Sequence, residues 1–281
     1  MIALTQIAGR ARGNYAITVS GGILAAIAVI AIVAPWLSPN DYLHTDFDNI
    51  LSSPRFGGGH WFGTDDLGRD LFVRTMMGIQ VTLLVALVAS FVSLVIGVLY
   101  GAIAGYVGGR VDAVMMRIVD TLYALPFIFI VILLMVVFER NFLLIFVAIG
   151  AINWLDMARI VRGQTLSLRE KEFIEAARLT GVSTFRIIVR HIAPNLIGVV
   201  VVYVTLTIPQ AILVESFLSF LGLGIQEPQT SLGALVDAGV NQKESASWML
   251  LIPGGLLALI LMCFNFLGDG LRDFFDARQS P

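Results

Sequence analysis

The chain has 281 residues, 57% of them hydrophobic and 14% charged, with a net charge of −2 and a mean hydropathy of +0.86. That balance excludes an ordinary water-soluble domain and supplies no basic surface for nucleic acid. A chain this apolar belongs in a lipid bilayer. There each helical crossing needs about 20 apolar residues to span a hydrocarbon core of about 30 Å, and every backbone amide must be bonded within the protein.

Six apolar runs meet or approach that requirement, so the expected fold is an all-α membrane protein with six transmembrane helices. The first run, Ile17 to about Leu37, follows Arg10 and Arg12; its length exceeds the roughly 7–15 residues of a secretory signal core, so it is expected to stay as a membrane anchor. An outer loop from Ser38 to about Gly78 comes next, irregular at Pro39, Pro54 and Gly57-Gly58-Gly59 and rich in acids. The second run, Val81 to about Tyr106, is apolar on every face, unlike a barrel strand with its period of two. The third covers Val114 to Phe138, with a kink expected at Pro126. The fourth runs from Phe142 to about Trp154, the fifth from Leu196 to about Leu213, and the sixth from Trp248 to Leu267. Residues 1–78 thus form an amino-terminal helix and outer loop, and residues 79–281 a five-helix core with a long polar interruption at 159–194. Lys and Arg accumulate on the cytoplasmic side of membrane proteins. With the amino terminus inside, only Arg55, Arg69, Arg74, Arg140 and Lys243 fall outside, which places both termini and residues 159–194 in the cytoplasm.

Within that interruption, Glu172 to Pro194 reads EFIEAARLTGVSTFRIIVRHIAP. Apolar and charged residues mix from Leu168 to Leu179 at helical spacing, which predicts a surface helix. Gly181 permits a turn that a Cβ would resist. Ser183 suits the N-cap of a second helix through Ile192, and Pro194 is expected to end or kink it. Ala176 and Ala177 leave a shallow place where another backbone can approach, and Glu175 offers a carboxylate to a basic partner. Local pairing accounts for Glu175 equally well, because Lys171 stands four residues before it and Arg178 three after.

Chemistry elsewhere is sparse. Neither lysine, Lys171 or Lys243, lies in a GxxxxGK[ST] phosphate loop, so ATP is not expected to bind this chain. Cys263 is the only cysteine, which excludes an intrachain disulfide, and His44, His60 and His191 lack metal-ligand spacing. No paired nucleophile and base stand out. No catalytic residue, cofactor, metal ligand or substrate contact is therefore assigned. Asp120 follows Arg117 by three residues and reads as a local pair or a pathway group, and Glu215 as facing an outer cavity or the headgroups.

Several motifs occur together: FGTDDLGRD at Phe62 to Asp70; Gly105-Tyr106 with Asp112, Met116-Arg117, Asp120 and Pro126; EAA at Glu175 to Ala177 with Gly181; LSFLGLG at Leu218 to Gly224; and FLGDGLRD at Phe266 to Asp273. This set resembles the membrane subunits of ATP-binding-cassette importers of the dipeptide, oligopeptide and nickel permease family. The stretches from Phe138 to Ala177 and from Ser216 to Gln229 are most similar to the C-type subunit of oligopeptide permeases. One departure is that the generic I-x-L-P ending of the EAA loop is His191-Ile192-Ala193-Pro194 here, followed by Asn195 as in the peptide subgroup. The resemblance implies a type I importer permease fold in a bacterial cytoplasmic (inner) membrane. It implies a homologous B-type permease as partner, two ATP-binding subunits that hold ATP and Mg, and an extracytoplasmic peptide-binding protein. It further implies that Glu175, Ala176, Ala177 and Gly181 couple the chain to the ATPase. Oligopeptides are the implied cargo. Dipeptides, glutathione or nickel are alternatives within the family, and an ion-coupled secondary transporter is the alternative outside it.

Overall fold

A computed structural model of the chain describes residues 15–55, 57, 59–137 and 142–276. Arg10, Arg12, Gly58, Phe138 and Arg140, which entered the expectations above, lie outside the described residues. Among the described residues the fold is helical, with one isolated bridge between Thr64 and Asp70. In chain order the helices are α1 (Tyr15–Leu37), α2 (Leu71–Val107), α3 (Gly109–Tyr123), α4 (Phe127–Val137), α5 (Phe142–Arg169), α6 (Glu172–Leu179), α7 (Thr184–Ile187), α8 (Ala193–Phe220), α9 (Leu232–Asn241) and α10 (Trp248–Asp276). Four stretches are long and apolar enough to cross a membrane: Tyr15–Leu37, Leu71–Val107, Thr184–Phe220 and Trp248–Phe275. They contain the first, second, fifth and sixth runs. The fourth run falls inside α5, which continues beyond it.

The third run does not form the single helix expected. The chain breaks at Ala124-Leu125-Pro126, because Pro126 has no N–H to give the preceding turn and disfavours helical backbone at the residue before it. On one side lies amphipathic α3, carrying Asp112, Arg117 and Asp120. On the other, α4 has 11 described residues, roughly 16 Å of helix. Pro194 is accommodated differently. It neither ends nor interrupts its helix, because a π-turn at Ile188–Ile192, closed by the Ala193 N–H on the Ile188 carbonyl, widens the backbone just before the pyrrolidine ring.

The most extensive helix pairing is α2 against α5. Gly97, Gly101 and Gly105 recur every four residues and let the two backbones close: a Cβ on Gly97 would stand 2.5 Å from the Met157 Cβ, and one on Gly105 2.7 Å from the Arg162 carbonyl. In lipid, where apolar side chains gain little by leaving the acyl chains, such close packing is what holds helices together.

The outer loop is closed by its own polar groups. Asp65 accepts from the Leu67 and Arg69 amides at 2.9 Å each and from Arg69 Nε at 2.7 Å, and its Oδ2 lies 3.3 Å from Arg74 Nε. Glu227, from the loop after α8, stands 2.8 Å from Arg69 Nη1 and 3.3 Å from Arg74 Nη2. Burial opposes the charge on Arg69, but hydrogen bonding and attraction from Asp65 and Glu227 hold its guanidinium above its usual pKa. Asp70 caps α2 through the Val73 amide, and its second oxygen takes hydrogen bonds from Asn40 Nδ2 and His60 Nδ1, both at 2.8 Å. Trp248 of α10 donates to the Thr64 carbonyl at 3.4 Å. FGTDDLGRD is thus a cap that fastens the outer loop to α2, α10 and the loop after α8.

Glu215 faces neither an outer cavity nor headgroups. It is fully buried, its carboxylate accepting from Ser219 Oγ at 2.7 Å, and Ser219 in turn lies 3.4 Å from Ser231 Oγ, the N-cap of α9. Gly224 sits so close to Ser219 that a Cβ there would overlap the Ser219 hydroxyl.

Candidate coupling site

The interruption between α5 and α8 folds as the helix, turn and helix that its sequence suggests. Lys171 takes the N-cap position of α6 with extended backbone, and Glu172 and Glu175 occupy the first turn, where negative charge suits the helix dipole. Ile174 and Ala177 point inwards, packing in one apolar cluster with Tyr106, Met157 and Ile187. Phe173, Glu175, Ala176 and Leu179 point outwards. Of the two expected contact alanines, therefore, Ala176 lies on the open face and Ala177 seats the helix on its own chain.

The turn after α6 is a Schellman closure. Gly181 N–H donates to the Arg178 carbonyl at 3.0 Å and Val182 N–H to the Ala177 carbonyl at 3.1 Å. Gly181 has φ +76°, while no atom lies within 4 Å of where its Cβ would stand, so backbone conformation and not space requires glycine there. Ser183 holds the next N-cap with extended backbone, but its side chain makes no capping hydrogen bond.

The charges distribute unlike the local pairing that the spacing allows. Among the described residues Glu175 has no ion pair. Arg178 turns instead to α2: its Nε donates to the Tyr106 hydroxyl at 3.1 Å, and its guanidinium carbon lies 4.9 Å from that ring's centroid. Beside the unpaired carboxylate are exposed apolar side chains, Leu179 at 83%, Phe185 at 73% and Phe173 at 43% of full exposure. An open groove of about 510 Å³ runs along α7 between Phe185, Val189, Arg190 and Pro194.

Nearby, ion pairs tie α3 to α5. Asp120 pairs not with Arg117 but with Arg159 at 2.8 Å, and Arg159 also stacks 4.6 Å from the Tyr123 ring centroid. Arg162 reaches Asp112 with Nε at 3.0 Å and Nη2 at 2.6 Å, a bidentate pair. In the sequence, Tyr106 and Asp112 stand only as parts of a pattern, with no partner indicated for either. A usable signal was present, since Arg162 and Arg169 stand two helical turns apart on one face of α5. No group of His, Cys, Asp and Glu able to hold a metal ion occurs among the described residues.

Residues 97–281 match the family model described as binding-protein-dependent transport system inner membrane component, and residues 5–54 match the N-terminal TM domain of oligopeptide transport permease C. The chain is 57% identical to the oligopeptide transport system permease protein OppC of Salmonella typhimurium over 95% of its own length and 88% of that relative. It is 42% identical to OppC of Bacillus subtilis, covering 96% and 88% of the two chains, and 42% identical to the dipeptide transport system permease protein DppC of the same organism, covering 91% and 80%. Among solved structures, a chain of the MetNI methionine ABC transporter in an inward-facing conformation superposes with a TM-score of 0.56 at 19% identity, over 72% of this chain and 95% of that one, a likeness of fold.

Proposed function

This chain belongs to the family of binding-protein-dependent transport system inner membrane components, and from that premise we propose that it is the C-type membrane subunit of an oligopeptide importer whose energy is supplied by ATP hydrolysed on other chains. It contributes half of a translocation pathway, and a homologous B-type permease contributes the other half. Two ATP-binding subunits carry ATP and Mg, and an extracytoplasmic binding protein delivers peptide. The setting is a bacterial inner membrane, with α6 and α7 on the cytoplasmic side.

The observation that carries this proposal is the open face of α6. A chain without a phosphate loop needs a surface through which another protein can drive it, and α6 presents Glu175, without an ion pair among the described residues, beside Ala176, Phe173 and Leu179. A carboxylate next to exposed apolar groups suits a partner with a basic residue at the rim of an apolar cleft. Gly181 sets the angle at which α7 leaves, and Ala177 anchors the helix behind. ATP can shift the pathway between states only through a contact that differs between them, and this face is the candidate contact.

The test is reconstitution of the chain with its sister permease, the ATPase subunits and the binding protein in liposomes. Peptide-loaded binding protein is expected to stimulate ATP hydrolysis and drive uptake, and Glu175→Lys to lower both about tenfold or more in fully assembled complexes. Uptake driven by an ion gradient without ATP would overturn the proposal. Competition among labelled oligopeptides, dipeptides, glutathione and nickel in cells lacking the native chain assigns the cargo, with oligopeptides expected to compete best.

A further inference from the structure

The turn between α2 and α3, Gly105 to Asp112, is gripped by three arginines from two other elements. Arg162 of α5 holds Asp112 through its bidentate pair, and Arg169, at the end of the same helix, donates from Nη1 to the Gly105 carbonyl at 3.4 Å. The third, Arg178, comes from α6 and meets Tyr106 by both hydrogen bond and ring face. Tyr106 is itself 7% exposed and packs in the cluster that contains Ile174 and Ala177, the inward residues of α6. Gly108 and Gly109, at φ +69° and +57°, turn the chain sharply from α2 into α3 immediately afterwards.

We propose that Tyr106 and Arg178 form the joint through which the coupling helix moves the α2–α3 turn, so that both are positioning residues for transport. This rests on the docking role given above to α6. Apolar burial of Ile174 and Ala177 holds α6 against the core but has no direction, so by itself it allows the helix to slide. A hydrogen bond together with a cation over a ring face fixes lateral position as well as distance. Beyond Tyr106 the connection is stiff on both sides. Gly105 lies against the Arg162 backbone with no room for a Cβ, and Asp112 carries the same arginine's fork into α3. A displacement of α6 therefore reaches α3, whose Val111, Val114 and Ile118 are exposed, without passing through a flexible loop.

The experiment compares Tyr106→Ala, Tyr106→Phe, Arg178→Ala, Arg178→Lys and the double Tyr106→Ala/Arg178→Ala variant in the assembled complex in liposomes. It reads the ratio of ATP hydrolysis with and without peptide-loaded binding protein, and peptide transported per ATP. Each alanine variant is expected to lower the stimulation ratio about tenfold, in the range of an ordinary coupling free energy. The double variant should be no worse than either single one, because both remove the same contact. Tyr106→Phe, which keeps the ring, should lose only the hydrogen bond, and Arg178→Lys, which keeps a cation and a donor, should lose the planar guanidinium face; each should fall about threefold. They decide the matter should the alanine variants fail to assemble. An unchanged ratio in the conservative pair, or additive losses in the double variant, overturns the joint. Failure of Glu175→Lys to reduce stimulation would sink the docking role of α6 itself. Loss with Glu175→Lys alongside normal Tyr106 and Arg178 variants would leave that role standing and remove only the joint.

Discussion

The helices α8 and α6 end in the same way, and their surroundings then part company. After α8, Gly222 at φ +70° donates to the Ser219 carbonyl at 2.9 Å, and Leu223 donates to Leu218 at 2.8 Å. After α6, Gly181 and Val182 make the equivalent pair of bonds to Arg178 and Ala177. Around the turn after α8, Glu227 meets Arg69 and Arg74, and Ser219 is locked between Glu215 and Gly224. Around the turn after α6, Leu179 and Phe185 stay exposed, and among the described residues Glu175 has no cation. Polar composition and turn type are alike at the two ends. What separates the two is whether, among the described residues, the charges and apolar groups find partners within the chain.

That contrast can be broken most severely at Asp65, which faces both Arg69 and Arg74. Asp65→Ala leaves two buried guanidinium groups without it and is expected to cost about 3–5 kcal/mol, read as a fall in the melting temperature of the purified complex. Melting alongside the wild type would mean that the cap is not closed. Next comes Glu175→Lys, for which uptake should fall about tenfold or more while melting and membrane level stay unchanged. A parallel loss of stability would show Glu175 to be as internally engaged as Asp65. Gly181→Ala is expected to cost roughly 1–2 kcal/mol locally through its left-handed backbone, and Gly181→Asn less; faster hydrogen exchange of the α6 amides measures both. The smallest effect belongs to Glu227→Gln. Its side chain is 60% exposed and the substitution keeps an oxygen acceptor, so a change under about 1 kcal/mol is expected, followed by melting at low and high salt.

The first, second, fifth and sixth runs were legible because each holds enough apolar residues in sequence to span lipid. The third was not, since a hydropathy average passes smoothly over Pro126 and hides amphipathic α3 beside it. The Gly181 turn was legible because a Schellman closure is made by residues that are neighbours in sequence. Side-chain partners were harder. Asp120 finds Arg159 across 39 residues, and Arg178 reaches Tyr106 across 72, while spacing arguments see only three or four. The alanine pair held a clue that adjacency concealed: consecutive helical residues point about 100° apart, so Ala176 and Ala177 do not share a face.

The glycine stripe of α2 sets a frame of reference for motion. With Gly97 and Gly105 at closest approach to α5, the two helices have no adjustable spacing between them and must travel as one body through any transport cycle. A pair of spin labels placed across them at lipid-facing sites would therefore serve as an internal ruler. Its distance should hold constant through every state of the cycle.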